Sequence, residues 1–73
     1  MASANKTPSI GVREQVASFK GALNAKQLAE ILGISDEMIY KLARRGLIPH
    51  FRVSTSVRFD PRAICEWLDK RVL

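Results

Sequence analysis

The sequence predicts a mainly α-helical domain with one small β-hairpin. Two short helix-forming stretches follow each other closely between residues 24 and 46, and each has its own start and stop signals. Residues 51–59 then alternate between apolar and polar side chains around a hydroxyl-rich centre, which is typical of a hairpin. An Asp-Pro pair at residues 60 and 61 opens a last helical stretch. We therefore expect a helix pair, a two-stranded hairpin and a closing helix.

The first helix of the pair has a capping box at its start and a glycine at its end. Asn24 is placed to cap the helix, and Gln27 is placed to complete the box. Gly33 follows the last apolar position and can adopt the left-handed conformation at low cost, so we expect a sharp turn there. The apolar positions at helical spacing are Leu28, Ile31 and Leu32.

Ser35 is expected to cap the second helix, with Asp36 and Glu37 near the positive end of the helix dipole. We expect the inward positions to be Met38, Ile39 and Leu42. The positions left for solvent or a ligand are Asp36, Glu37, Tyr40, Lys41 and Arg44.

A small residue, a turn glycine and three apolar positions together are typical of a helix-turn-helix. These residues are Ala29, Gly33, Ile34, Ile39 and Leu42. Ala29 is expected at the corner, where a small side chain lets two helices cross closely. The pattern favours DNA binding, and the alternative is a plain helical hairpin in another kind of small domain.

The composition points to a polyanionic partner. The chain has 73 residues, enough for one domain, with 12 basic and 7 acidic side chains and a net charge of +5. Charge alone does not choose DNA over RNA or an anionic membrane. The surplus is largest in residues 36–59, which hold five basic and two acidic residues. That segment contains the second helix and the hairpin.

The sequence gives little indication of a metal site or of an enzyme active site. One cysteine, Cys65, excludes an internal disulfide, and with the single His50 it cannot form a closed zinc site. No acid pair or phosphate loop is present, and His50 has no nucleophile near it in sequence. We expect no enzymatic activity and no cofactor. With no signal segment or apolar span, we expect a cytoplasmic protein that is nucleoid-associated when bound to DNA.

Three segments are expected along the chain: a flexible tail at residues 1–9, an N-terminal extension at 10–22 and the main domain at 23–73. The extension is expected to form a short helix between Ile10 and Phe19, with Ser9 as a possible cap. An arm along DNA phosphates is the alternative for this region, and it would use Lys6, Arg13 and Lys20.

The near-palindrome of residues 51–59 suggests a hairpin register. A turn over Ser54, Thr55 and Ser56 would pair Val53 with Val57, Arg52 with Arg58 and Phe51 with Phe59. Both phenylalanines would then face the core, and both arginines would lie opposite each other. Like charges placed so are mildly destabilising, which favours a bound phosphate between them. Solvated arginines on an exposed ribbon face are the alternative.

The closing helix is expected to begin with Asp60 as cap and Pro61 as its first residue. Its apolar stripe consists of Ile64, Trp67, Leu68 and Val72. We expect Trp67 to pack against Phe51, Phe59 and the first helix, and Cys65 to be a small buried residue rather than a nucleophile.

Several segments in order resemble the excisionase-like and MerR-like winged helix-turn-helix family. They are Leu-Asn-Ala-Lys-Gln-Leu-Ala-Glu-Ile-Leu-Gly-Ile-Ser, Ile-Tyr-Lys-Leu-Ala-Arg-Arg-Gly-Leu-Ile-Pro, Phe-Arg-Val with Val-Arg-Phe-Asp, and Glu-Trp-Leu. The resemblance covers about residues 23–68. It implies that the second helix enters the major groove and that the hairpin wing lies along the backbone or the minor groove. Members of the family include recombination directionality factors and small transcriptional regulators.

The resemblance and the residue pattern together give one set of expected DNA contacts. The major-groove residues are Glu37, Tyr40, Lys41 and Arg44, and the phosphate and wing residues are Arg45, Arg52, Ser54, Thr55, Ser56 and Arg58. The family often has basic or neutral residues where this chain has Asp36 and Glu37. A carboxylate there either accepts a hydrogen bond from cytosine or only favours the helix dipole. The wing tip also lacks the basic residues and glycines common in the family.

We therefore expect a sequence-specific double-stranded DNA-binding protein. It would be an excisionase-like architectural factor or a small transcriptional regulator, with a site-specific recombinase or further copies of itself as possible partners. No membrane partner is expected, since no apolar run is long enough to span a bilayer. No small-molecule effector is expected either, since the dimerisation helix and effector domain of full MerR regulators are not seen. The rival from another class is a protein-interaction module that uses the same exposed helix face.

Overall fold

A computed structural model describes residues 8–71 as four helices and a two-stranded antiparallel hairpin, which confirms the predicted fold class and is compatible with a winged helix-turn-helix. The elements are α1 (Pro8–Ala17), α2 (Ala25–Leu32), α3 (Asp36–Arg44), β1 (Phe51–Val53), β2 (Ser56–Arg58) and α4 (Pro61–Arg71).

Helix α1 begins at Pro8, two residues before the expected start, and ends at Ala17. Ser9 therefore lies inside the helix rather than at its cap, and Pro8 and Ser9 belong to α1 rather than to the expected tail. The rest of that tail, residues 1–7, lies outside the described residues, as does Val72. Helix α1 packs against α4 and α2.

The turn between α2 and α3 has the predicted capping. Asn24 and Gln27 form the capping box, in which the Gln27 amide donates to Asn24 Oδ1 over 2.8 Å and the Asn24 amide donates to Gln27 Oε1 over 2.9 Å. Gly33 is left-handed with φ of 75°. The Ala29 carbonyl accepts from the amides of Gly33 and Ile34, and Ser35 Oγ accepts from the Met38 amide. These local bonds fix where α3 starts.

The end of α3 is also fixed. Gly46 is left-handed with φ of 69°, and the amides of Gly46 and Leu47 donate to the carbonyls of Ala43 and Leu42. This pattern is a Schellman motif. Trp67 Nε1 on α4 then donates to the Leu47 carbonyl over 2.9 Å. The closing helix is therefore hydrogen-bonded to the segment that directly follows α3.

The hairpin has a different register from the predicted one. The pairs are Phe51 with Arg58, Arg52 with Val57 and Val53 with Ser56. The turn contains two residues, Ser54 and Thr55, rather than three, and Ser54 has a positive φ of 59°, as the first loop residue of the favoured two-residue hairpin turns does. A shift by one residue moves side chains to the other face of a strand. The predicted opposition of the two arginines, and of the two phenylalanines, is therefore wrong.

Phe59 continues from β2 into the core and forms an antiparallel bridge with Leu23, in which each amide donates to the other's carbonyl over 2.9 Å. The segment before α2 thus lies along the free side of β2. The buried apolar residues are Val16, Leu23, Ala25, Leu28, Ala29, Ile39, Ala43, Ile48, Phe59, Ile64 and Cys65. Because these come from all four helices and the hairpin region, one core holds the described residues together.

Two apolar side chains do not lie where the sequence predicts. Met38 is 42% exposed rather than inward. Phe51 is 43% exposed because its pairing with Arg58 places it on the outer face of the hairpin, away from Phe59. Trp67 is half-buried at the edge of the core, where its indole is bonded to the Leu47 carbonyl.

The register predicts that the two phenylalanines contribute very differently to stability. Phe59→Ala removes a fully buried ring and is expected to lower the free energy of unfolding by about 3–5 kcal/mol. Phe51→Ala removes an exposed ring and is expected to cost less than about 1 kcal/mol. Urea denaturation of both variants measures the difference. Equal losses would indicate the register in which both rings face the core.

Candidate nucleic-acid interface

Four polar side chains form one exposed stripe along α3. Each of them is three or four residues away from two of the others, so all four lie on one side of the helix. Together they line a shallow surface depression. The members of this recognition stripe are Glu37, Tyr40, Lys41 and Arg44.

The buried side of α3 determines which residues the helix presents. Ile39 and Ala43 are buried and Leu42 packs against the core, so the opposite side of the helix must face outward. Since the caps at Ser35 and Gly46 fix both ends, the stripe is held on a short rigid element. Sequence periodicity was sufficient to identify all four of its residues as exposed.

The stripe carries mixed charge with a basic surplus towards its C-terminal end. Lys41 and Arg44 lie in the last turn of α3, whereas Asp36 and Glu37 lie in the first. Arg45 directly follows the helix as its C-terminal cap and is exposed. Within residues 8–71 the only salt bridge joins Arg13 to Asp69, so none of these three cations is neutralised by a described carboxylate. They remain able to bind an external anion.

Two apolar side chains flank the stripe. Met38 lies in the first turn of α3 and Ile34 lies in the turn before it, both largely exposed. The sequence predicts Met38 as an inward position together with Ile39 and Leu42, and for Met38 this prediction is wrong. Ile39, Leu42 and Ala43 already form the buried side of this short helix. A fourth inward position is therefore not needed, and this narrow apolar side is the sequence signal that Met38 is exposed.

The hairpin wing presents polar groups at its tip, and its two arginines lie on different sides. Ser54 and Thr55 form the exposed turn, and Ser56 beside it is half-buried. Arg52 is exposed and shares its side with Val57, which packs against the core. Arg58 is on the outer side with Phe51, half-buried, and its Nη1 donates to the Val57 carbonyl over 2.9 Å. A single phosphate held between the two guanidinium groups is therefore not supported.

The N-terminal extension is attached to α4 by a bidentate ion pair. Arg13 Nε and Nη2 donate to the two carboxylate oxygens of Asp69 over 2.8 and 3.0 Å. The hydrogen bond from Arg13 lowers the pKa of the Asp69 carboxyl, and the same bond raises the pKa of Arg13. Arg13 is thus engaged within the domain, which disfavours its use in a DNA-binding arm. Lys6 of that hypothesis lies outside the described residues, whereas Lys20 is exposed.

The remaining reactive side chains make internal contacts. Cys65 is buried, as expected, and its thiol donates to the Arg13 carbonyl over 3.6 Å. His50 is half-buried, and its Nδ1 donates to the Ile48 carbonyl over 2.9 Å. Among the described residues, no group of three or more histidine, cysteine or acidic side chains is placed to hold a metal ion. None of the helices described here is long and apolar enough to cross a membrane.

The Arg13–Asp69 pair predicts an acid-dependent loss of stability. Because the folded-state pKa of Asp69 is lowered, the pair stabilises the fold above the ordinary carboxyl value of 3.8 and is lost as the pH falls through the lower folded value. Asp69→Asn should therefore be less stable than the unaltered protein at pH 7, with the difference shrinking at acid pH. Urea denaturation across pH measures this.

Glu66→Gln is the matched control, since Glu66 is also exposed on α4 and forms no ion pair within residues 8–71. Its stability difference from the unaltered protein should be smaller at pH 7. A difference for Asp69→Asn that stays constant from pH 7 to below pH 3 would contradict the role of the pair.

Comparison with known proteins agrees with this geometry. A family model described as a helix-turn-helix domain matches residues 22–72, which include α2, α3, the hairpin and α4. The search of curated proteins and the search of solved structures each returned no significant match. The matched family is a DNA-binding family that includes excisionase-like proteins, and it supports sequence-specific binding to double-stranded DNA. The chain belongs to the helix-turn-helix domain family of DNA-binding proteins.

Proposed function

We propose that this chain is a non-enzymatic protein that reads a specific double-stranded DNA site with α3 and holds the DNA backbone with its wing. The observation that carries the proposal is the recognition stripe, because four polar side chains lie exposed on one side of a helix fixed at both ends. Membership of a DNA-binding family supports it independently.

The dimensions and chemistry of α3 suit the major groove. An α-helix with its side chains is about 10–12 Å in diameter, and the major groove of B-form DNA is about 12 Å wide, so α3 can enter it. Arg44 and Lys41 offer donors that match the O6 and N7 atoms of guanine. Glu37 can accept a hydrogen bond from the N4 amino group of cytosine, and Tyr40 offers a ring and a hydroxyl. These four residues are proposed to determine sequence preference.

Affinity is proposed to come from residues around the stripe. Arg45 and Arg52 are exposed cations without a described ion-pair partner, and Ser54 and Thr55 present hydroxyls at the tip of the wing. Ser56 and Arg58 are less accessible, so their part is smaller unless the wing adjusts on binding. Since each neutralised phosphate releases counterions, binding should weaken steeply with salt.

The biological role we propose is that of an excisionase-like architectural factor beside a site-specific recombinase, or of a small transcriptional regulator of excisionase-like or MerR-like type. The matched family includes excisionase-like proteins, which supports the first. An integrase gene next to the gene for this chain would favour the architectural role. If several copies of the chain bind one DNA site, the selected sequences should contain regularly spaced half-sites.

Selection of sites from a random duplex pool, followed by salt titration, tests the proposal. Arg44→Ala should alter base preference and cost about 1–3 kcal/mol at the selected site. Arg52→Ala should weaken binding to all duplexes and reduce the magnitude of the slope of log affinity against log salt by about one.

Lys26→Ala is the control, because Lys26 is an exposed cation on α2 outside the stripe and the wing. It should change the salt slope less than Arg52→Ala and leave base preference unchanged. Failure of the unaltered protein to bind any duplex in low salt, together with stable co-purification of one protein, would instead favour a protein-interaction module that uses the same helix face.

A further inference from the structure

A groove of about 610 Å³ lies beside the hairpin, and none of the residues that line it is among the proposed DNA contacts. Its walls come from the C-terminal part of α1, the segment before α2, the start of β1 and the first turns of α4. It shares no residue with the recognition stripe. The two surfaces can therefore be altered separately.

An exposed aromatic ring gives the groove an apolar side. Phe51 lines it and is 43% exposed. Val53, two positions further along β1 on the same face, is 57% exposed. Phe19 lines the groove as well and is half-buried. Phe51 and Phe19 thus give the groove an apolar surface that is partly exposed to water in the isolated chain, and exposed apolar surface of this kind can mark a binding site.

The other groove residues carry a positive surplus. Three cations, Arg13, Lys20 and Arg62, line it against one carboxylate, Asp60. Asp60 already accepts a hydrogen bond from the Ala63 amide as the cap of α4. Arg13 is paired with Asp69, but Lys20 and Arg62 have no salt bridge within the described residues. An occupant with carboxylates would therefore match the charge of the groove.

We propose that this groove docks a short segment of a partner protein in which carboxylates flank one large apolar side chain. The apolar side chain would contact Phe51 and Phe19, and the carboxylates would reach Lys20 and Arg62. A peptide supplies both chemistries within a few residues. The phosphate backbone of duplex DNA supplies the anions but has no apolar group to cover the exposed phenylalanine. Duplex DNA is therefore the less suitable occupant.

Selection from a pool of random displayed peptides, using the full chain without DNA, tests the proposal. The expected enriched sequences contain at least two acidic residues around a Phe, Leu, Ile or Trp. The best enriched peptide is then synthesised, and its dissociation constant is measured by fluorescence anisotropy. Phe51→Ser and Arg62→Glu should each weaken that peptide at least tenfold.

Lys26→Glu is the matched control, because it makes the same change of charge on an exposed residue outside the groove. It should weaken the peptide less than twofold. The amide NMR spectrum of each variant shows whether it is folded, and the shifts caused by the peptide should lie around Ala22, Phe51 and Arg62. Base preference on the selected duplex should stay unchanged in Phe51→Ser, so that docking is separated from sequence reading by α3.

Several results would overturn the proposal. One is that the pool yields no acidic and apolar sequence. Another is that Lys26→Glu weakens the peptide as much as Arg62→Glu, which indicates general attraction to a basic protein. A third is that Phe51→Ser or Arg62→Glu lowers duplex affinity as strongly as Arg44→Ala, which assigns the groove to DNA. None of these outcomes bears on whether the recognition stripe itself reads DNA.

Discussion

The burial of one side of α3 is the constraint on which the rest of the site depends. Ile39 and Ala43 are removed from water against the core, and this fixes the rotation of the helix about its axis. A rotation large enough to bury Tyr40 or Lys41 would expose Ile39, whose full burial contributes roughly 1.5–3 kcal/mol. The recognition stripe is therefore a consequence of core packing rather than of any contact that its own polar groups make.

The same packing is supported at both ends of the helix by backbone bonds. Gly33 turns the chain so that α3 can lie against α2, and the buried Ala29 provides the carbonyl that accepts both turn amides. At the other end, the Leu47 carbonyl accepts Trp67 Nε1 and is also approached by Arg71 Nη2 at 3.5 Å, while the Arg71 guanidinium stacks over the Trp67 ring. The closing helix thus supports the C-terminal end of α3.

How much the sequence could predict depends on the range of the interactions. The caps formed by Asn24, Ser35 and Gly33 each involve residues within four positions of each other. Such local hydrogen bonds can be predicted from the residue types and their spacing. The ion pair of Arg13 with Asp69 joins residues 56 positions apart, and no sequence pattern indicated it. The starts of α2, α3 and α4 and the exposed stripe are therefore predictable from the sequence, whereas the start of α1 and its attachment to α4 are not.

The hairpin shows why a local pattern can still mislead. Residues 51–59 are nearly symmetric about Thr55, and that symmetry favours a three-residue turn centred on it. The observed two-residue turn places Ser54 in the left-handed region, which costs a non-glycine residue about 1–2 kcal/mol. In return, Val57 and Phe59 face the core and the Phe59 backbone pairs with Leu23. The burial of Val57 and Phe59 against residues distant in sequence therefore determines the register. This register leaves Phe51 on the outer face of the hairpin, where its side chain lines the groove beside α1 and α4.

The central claim, that α3 and the wing tip are the DNA-facing surface, is tested most directly by NMR mapping on a selected duplex. Amide and side-chain signals of the full chain would be followed as the duplex is added at low salt. The largest shifts are expected at Tyr40, Lys41, Arg44 and the Ser54–Thr55 turn, with small shifts for exposed α4 residues such as Glu66. Largest shifts on α1 and α4, with the α3 stripe unchanged, would contradict it.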